Sequence, residues 1–339
     1  MVTRGERGTL LAHITDAHVA PHGRATAALK HRSVSVLEDI VAQAVEEGVD
    51  AVLFGGDNID NRGHGEDDLE AFLRIVEPLG DRWLAQFGNH EAASGRPGRL
   101  DKHAFAKAVA GRGIGPGQHD FSVAAGEVRV IGIDTTLVGS PSGFVTPQTM
   151  RFLARELRGA EEKHVVVLGH HPIYPAWAPH SLDSWDREYL VANRADVCAL
   201  LSSTPKVRAY LCGHHHASRI QRVGGRGRSG GFHHILTASP IAFPHYSRWL
   251  RFTDEALVVS PLVPRLEGLL DEGAEWILTG RKARRYAALG EDRSFLDYLS
   301  GGPEDAHVTI PLDGRSPSIR VDSPRGPARD EVFPTLRSH

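Results

Sequence analysis

Five short segments hold the residue types that could do chemistry. They are Asp16-Ala17-His18, Gly55-Gly56-Asp57-Asn58-Ile59-Asp60, Gly88-Asn89-His90-Glu91, Gly169-His170-His171-Pro172 and Cys212-Gly213-His214-His215-His216. Each follows a short apolar run that reads as one buried strand. Imidazole and carboxylate together are the donors that transition-metal ions take. A lone D-x-H or G-D is a weak signal, because an Asp after glycine usually caps the next helix. Five such segments in order, each at a strand end, leave little room for accident. In extended chain, residues i and i+2 point the same way, so Asp16 and His18 can reach one ion together. Asp57 falls at the carboxyl end of a central strand, where open α/β sheets place their ligands. The glycines before it end the strand and let the backbone approach whatever lies beyond.

The elements that must position these residues follow from periodicity. Strands are expected at Leu10–Ile14, Ala51–Phe54, Trp83–Phe87, Phe121–Ala124, Val128–Asp134, His164–Leu168 and Val207–Leu211. More follow at Arg219–Val223, His233–Ala238, Trp249–Phe252 and Ala256–Val259. Helical patterns cover Ser33–Glu46, Asp67–Val76, His103–Ala110, Pro147–Leu157 and Trp185–Leu201. The loops Ala92–Arg99, Gly139–Gly143 and Ile173–Ser184 are read as substrate-facing, with Tyr174 and Trp177 able to stack on a base or sugar. From Pro264 the character changes to three short helices, in which Lys282, Arg284 and Arg285 read as a solvated face. From Asp313 the chain is Pro-, Arg- and Ser-rich, a composition that does not support a core.

Composition narrows the class. Of 339 residues, 41% are hydrophobic and 24% charged, which suits a globular core. A net charge of -3 gives no broad basic groove for nucleic acid. The 2 cysteines imply no disulfide framework. No stretch reaches the length of a membrane span, and the expectation is a soluble, cytoplasmic protein. The 20 histidines are unusual, and they gather at strand ends.

The five motifs together resemble the calcineurin-like metallophosphoesterase superfamily, over roughly Leu10 to Val263. G-N-H, then H-x-P, then C-G-H-x-H is most similar to class III cyclic-nucleotide and glycerophosphodiester phosphodiesterases. The resemblance implies an α/β fold, a four-layer αββα sandwich, with a C-terminal helical extension. Residues 1–263 would form the catalytic domain, 264–312 a helical cap or homodimer contact, and 313–339 a tail. Carried over by position, one metal would be held by Asp16, His18, Asp57 and His216. A second would be held by Asp57, Asn89, His170 and His214, with Asp57 bridging. The ions would be Mn, Fe, Zn or Co, which suit mixed N and O ligands.

Two ions about 3.5–4 Å apart can bind the attacking and leaving oxygens of an in-line displacement and turn a bridging water into hydroxide. The resemblance makes His90 the general acid, oriented by Asp60. His171 is then a substrate neighbour, as are Asn89 and His90, and His245 is expected at the rim of the site. Asp60 stands where purple acid phosphatases have Tyr, so no tyrosinate–iron bond is expected. One extra residue relative to the protein Ser/Thr phosphatase pattern leaves Arg62 without an assigned phosphate role. Glu91, in place of the commoner Asp, is read as structural, and His22, His31 and His64 as surface residues. The implied reaction is hydrolysis of a small phosphodiester. The alternatives are a phosphomonoesterase or pyrophosphatase on the same scaffold, or a non-catalytic metal-binding scaffold, which missing ligands would mark.

Overall fold

The structure, a computed structural model, describes residues 8–93, 97–176, 189–224, 231–288 and 292–312. Two six-stranded sheets organise these residues. The first sheet contains β1 (Thr9–Ile14), β2 (Ala51–Phe54), β3 (Trp83–Ala85), β10 (Ser247–Phe252), β11 (Ala256–Leu262) and β12 (Val308–Pro311), in the order β12-β11-β10-β1-β2-β3. The second contains β4 (Phe121–Ala125), β5 (Val128–Gly132), β6 (His164–Leu168), β7 (Val207–Cys212), β8 (Arg219–Val223) and β9 (Phe232–Leu236), in the order β4-β5-β6-β7-β9-β8. β1, β2 and β3 run parallel, as do β5, β6, β7 and β9. Their carboxyl ends are where the sequence places its glycines, carboxylates and imidazoles.

Strand alternation builds the layers. In the second sheet Val166, Leu168, Ala209, Leu211 and Ile235 join one core with the first sheet. Their neighbours Val165, Val167, Tyr210, Cys212 and Leu236 belong to a second core, beneath helices. The first core also takes the apolar stripes of α1 (Ser33–Glu47) and α2 (Gly65–Val76), through Val36, Leu37, Ile40 and Phe72. Gly48, at φ 64°, stops α1 in the left-handed region that glycine enters freely. After the short α3 (Lys102–Ala108), the second core takes α4 (Pro147–Gly159) and α5 (Arg194–Ser202). Thr146 caps α4 by accepting the Thr149 N–H, with Pro147 at the first helical position. The result is helix, sheet, sheet, helix.

Several boundaries differ from the sequence pattern. Of the helix expected over Trp185–Leu201, residues 185–188 lie outside the described residues, Tyr189 is helical, and after the Val191 bridge to Gly143 a helix runs over Arg194–Ser202. β3 stops at Ala85, and the Gln86 N–H goes back to the Phe54 carbonyl. The extension forms α6 (Leu269–Thr279), α7 (Arg281–Ala287), α8 (Phe295–Ser300) and α9 (Pro303–Ala306). It also returns β12 to the edge of the first sheet, where Ile310 pairs with Leu257. That strand is four residues long and ends in proline, a pattern tolerated only at a sheet edge and too short to read from sequence. Trp177, the glycine-rich segment 225–230 and the tail from Asp313 lie outside the described residues. No helix among the described residues is long and apolar enough to cross a membrane.

Candidate metal centre

Asp16 shows how the centre is built. Its Oδ2 accepts the Thr15 hydroxyl and the His214 N–H, each at 2.8 Å. Its Oδ1 is buried with no hydrogen-bond partner, 3.3 Å from His216 Nε2 and 4.0 Å from His18 Nε2. The two imidazole nitrogens, His18 Nε2 and His216 Nε2, are 3.2 Å apart. Donors about 2.1 Å from one ion stand about 3–3.5 Å from each other. The spacing therefore fits an ion at their common centre.

A second group mirrors the first. His170 Nε2 lies 3.2 Å from Asn89 Oδ1 and 3.2 Å from His214 Nδ1. The other ring nitrogen of His170 contacts the Gly55 carbonyl at 2.9 Å, which aims Nε2 into the site. Asp57 stands between the groups. Its Oδ1 accepts the His90 N–H at 2.8 Å, and its Oδ2 lies 3.7 Å from His18 Nε2 and 3.6 Å from His170 Nε2.

The charges agree with a cation site. Burial, then the neighbouring His90, keeps the His18 pKa far below its usual value, so its lone pair is free. Burial, then His171 and His170, does the same to His214. Burial alone would raise Asp16, but His216 outweighs it and holds the carboxyl at about 2. His170 is the exception: burial lowers it, yet Asp57 and Asp16 raise it to about 9. A proton on His170 therefore balances the buried carboxylates, and a bound cation would supply that charge instead. The donor set fits one or two transition-metal ions.

The backbone carries strain here. Asp16 (φ 56°), His18 (φ 40°), Asp57 (φ 50°), His214 (φ 68°) and His216 (φ 53°) are all left-handed. Such residues cost about 1–3 kcal/mol each and persist where the surroundings over-determine them. This corrects the extended-chain reasoning for Asp16 and His18. Both reach the same place, but through two left-handed turns rather than a two-residue strand period. Gly213 admits this packing, since a Cβ there would sit 2.1 Å from both Asp16 Oδ2 and Thr15 Oγ1.

His90 and Asp60 sit beside the donor groups. His90 Nδ1 is 2.6 Å from the Asp60 carbonyl and 3.4 Å from the Asp60 carboxylate. Burial lowers the His90 pKa, but Asp57 and Asp60 outweigh it and raise it overall. A cleft of about 260 Å³ opens against Asn89 and His90, and Arg62, Arg99 and Ser140 also line it. Arg62 Nη2 is 3.2 Å from His90 Nε2, so Arg62 does reach the site.

Two expected substrate neighbours are placed otherwise. His171 is fully buried, with Nδ1 2.8 Å from the Thr135 hydroxyl and its ring against Gly143. Its ring centroid is 4.6 Å from that of His214, and one of its nitrogens lies within 4.8 Å of donor atoms of His170 and His214, so it borders the second donor group without lining the cleft. His245 is buried with Nδ1 3.1 Å from the Pro240 carbonyl, and α6 covers it so closely that a Cβ on Gly273 would lie 1.7 Å from Nε2. It is a packing residue, not a rim residue. A histidine in the loop after a strand carries no sequence mark of which way its ring turns.

Other residues were missed. Lys30 donates to Asp60 Oδ1 at 2.6 Å, from a segment with no motif. Glu91 accepts the N–H groups of Asp57, Ile59 and Gly88 at 2.9, 3.1 and 2.7 Å, so its structural reading has a mechanism. Arg284 and Arg285 are exposed as expected, but Lys282 is half-buried, its pKa lowered by burial and raised in return by the Asp16 charge. Tyr298 of α8 contacts His215 Nε2 at 3.2 Å, so the extension packs onto the same strand end.

A profile of the calcineurin-like phosphoesterase family matches residues 9–218. The chain is 30% identical over 122 residues to the 3',5'-cyclic adenosine monophosphate phosphodiesterase CpdA of Escherichia coli K12, covering 35% of this chain and 42% of that protein. It is 26% identical over 219 residues to the glycerophosphodiester phosphodiesterase GpdQ of Enterobacter lignolyticus, covering 61% of this chain and 70% of that one. Its fold is similar to a dimetal phosphatase from Danio rerio, with a TM-score of 0.57 and 18% identity over 75% of this chain and 96% of that chain.

Proposed function

The chain belongs to the calcineurin-like phosphoesterase family, whose members are metal-dependent phosphoric ester hydrolases, and from that premise we propose that it hydrolyses a small phosphodiester at a binuclear centre bridged by Asp57. The observation that carries this reading is the position of Asp57 Oδ2, 3.7 Å from His18 Nε2 on one side and 3.6 Å from His170 Nε2 on the other. Asp16, His18, His216 and Asp57 would hold one ion, and Asp57, Asn89, His170 and His214 the other, as Mn, Fe, Zn or Co. When bound, such ions supply positive charge to the phosphoryl oxygens and a water acidic enough to attack at neutral pH.

The chain's own residues do the rest. Asp60 takes the Nδ1 side of His90 and turns Nε2 towards the cleft. The raised pKa of His90 favours its protonated form, and with the Arg62 donor, 3.2 Å from Nε2, turned to the ester, Nε2 would give that proton to the departing alkoxide. Arg62 and Arg99 line the same cleft and offset the negative charge of the ester. Diester specificity is supported by the similarity to proteins named for cyclic-nucleotide and glycerophosphodiester hydrolysis. The two guanidinium groups favour a second reading, a phosphomonoester or pyrophosphate substrate with more charge to neutralise.

The test is hydrolysis of bis-p-nitrophenyl phosphate against p-nitrophenyl phosphate, with Mn, Zn, Co or Fe, and with EDTA as control. Faster diester turnover that EDTA abolishes is the expected result. Faster monoester turnover would replace it with the second reading. No turnover of either, with metal bound, would contradict both.

A further inference from the structure

His22, His64 and Asp67 lie outside the centre described above, and the structure brings them together. His22 Nε2 is 3.1 Å from Asp67 Oδ2, and His64 Nδ1 is 3.8 Å from the same oxygen. The two imidazole rings are 4.7 Å apart at 45°. One donor atom from each residue lies within 4.8 Å of the others. Both histidines are surface residues, as read from the sequence, and they share one partner. Among the described residues, Asp67 is the hydrogen-bonding or ionic partner of both.

Their place in the fold is specific. His22 follows β1 by way of His18, and His64 follows β2 by way of Asp60. The two segments run side by side through the Val19–Ile59 bridge and the Asp60 N–H to Val19 carbonyl bond of 3.1 Å. Asp67 then approaches from the first turn of α2, which also carries Glu66 and Asp68. Glu66, exposed beside it, adds negative charge next to Asp67. The three side chains are half-exposed, so an ion can enter without any opening.

The donor chemistry selects the ion. Two imidazole nitrogens and one carboxylate oxygen on one face suit Zn²⁺, Co²⁺ or Ni²⁺. Mg²⁺ and Ca²⁺ prefer oxygen ligands alone. Solvent would complete the coordination. We propose that His22, His64 and Asp67 form a peripheral transition-metal site, separate from the ions at Asp57. An ion there clamps together the two segments that carry His18 and Asp60. It stabilises the folded chain in proportion to the logarithm of free metal.

The test compares the full chain with His22→Ala/His64→Ala and with Asp67→Asn. Each protein is stripped of metal, checked for folding by circular dichroism, and dialysed against Zn²⁺ or Co²⁺ before elemental analysis. The wild type is expected to retain one ion per chain more than the double variant. Asp67→Asn, which keeps the size of the side chain, is expected to weaken retention of that same ion. Equal metal content in all three proteins would overturn the proposal.

Discussion

Asp57 touches His90 twice: its Oδ1 accepts the His90 N–H at 2.8 Å, and its Oδ2 lies 3.9 Å from the ring nitrogen Nε2. The carboxylate placed between the two donor groups thus also sets where the cleft-facing imidazole stands. Positioning of metal and positioning of proton are one structural problem here, solved by a single turn at the end of β2. His90→Ala should leave the donor groups intact and keep bound metal. It should lower kcat by about 10²–10⁴, the usual range for a positioned acid. The loss should be greatest on esters with poor leaving groups; equal loss on good and poor leaving groups would contradict the role.

Lys30 and Asp60 form a short, mostly buried ion pair at 2.6 Å. Removing one partner strands the other charge beside His18 and His90. Lys30→Ala should cost about 1–3 kcal/mol of stability in urea unfolding. It should also loosen His90, seen as a lower kcat with little change in KM. An unchanged urea midpoint would show that the pair is idle.

Gly213 has no room for a side chain against Asp16 and Thr15. Gly213→Ala should displace Asp16 and so lose metal and activity together. Gly159, at the end of α4, has nothing within 4 Å of a built Cβ, and Gly159→Ala should behave as wild type. Elemental analysis of the two variants side by side decides the point.

Asp68 sets a pH dependence away from the metal. Burial, reinforced by the charges of Asp60 and Asp67, raises its carboxyl to about 7, against a partial offset from the Asn61 N–H. A carboxyl raised in the folded state contributes stability that is full below its unfolded pKa of about 4. That contribution is lost as pH rises through about 7. Asp68→Asn should therefore flatten the fall in stability between these limits. Parallel stability–pH curves for variant and wild type would contradict it.

Much of this was legible in the sequence because the relevant signals are local. Apolar runs ending in Gly, Asp, Asn or His mark the parallel strands, and the two sheets carry them to one edge. Asp16, His18, Asp57, Asn89, His170, His214 and His216 are brought together there. What sequence could not show depends on three-dimensional closure. Nothing in a left-handed φ at Asp16 or His18 is visible in residue type, since glycine is the usual occupant. Lys30 meets Asp60 across thirty residues, and Lys282 approaches Asp16 only because the extension folds back. His245 differs from the grouped histidines in being covered by α6, which also depends on the extension folding back.

Anomalous diffraction from crystals grown with Mn or Zn, collected above and below the metal edge, would locate the ions at Asp57. Two peaks about 3.5–4 Å apart are expected, one on the side of Asp57 shared with Asp16, His18 and His216, the other on the side shared with Asn89, His170 and His214. A single peak, or none beside Asp57 in crystals of protein that hydrolyses the diester, would contradict the binuclear centre.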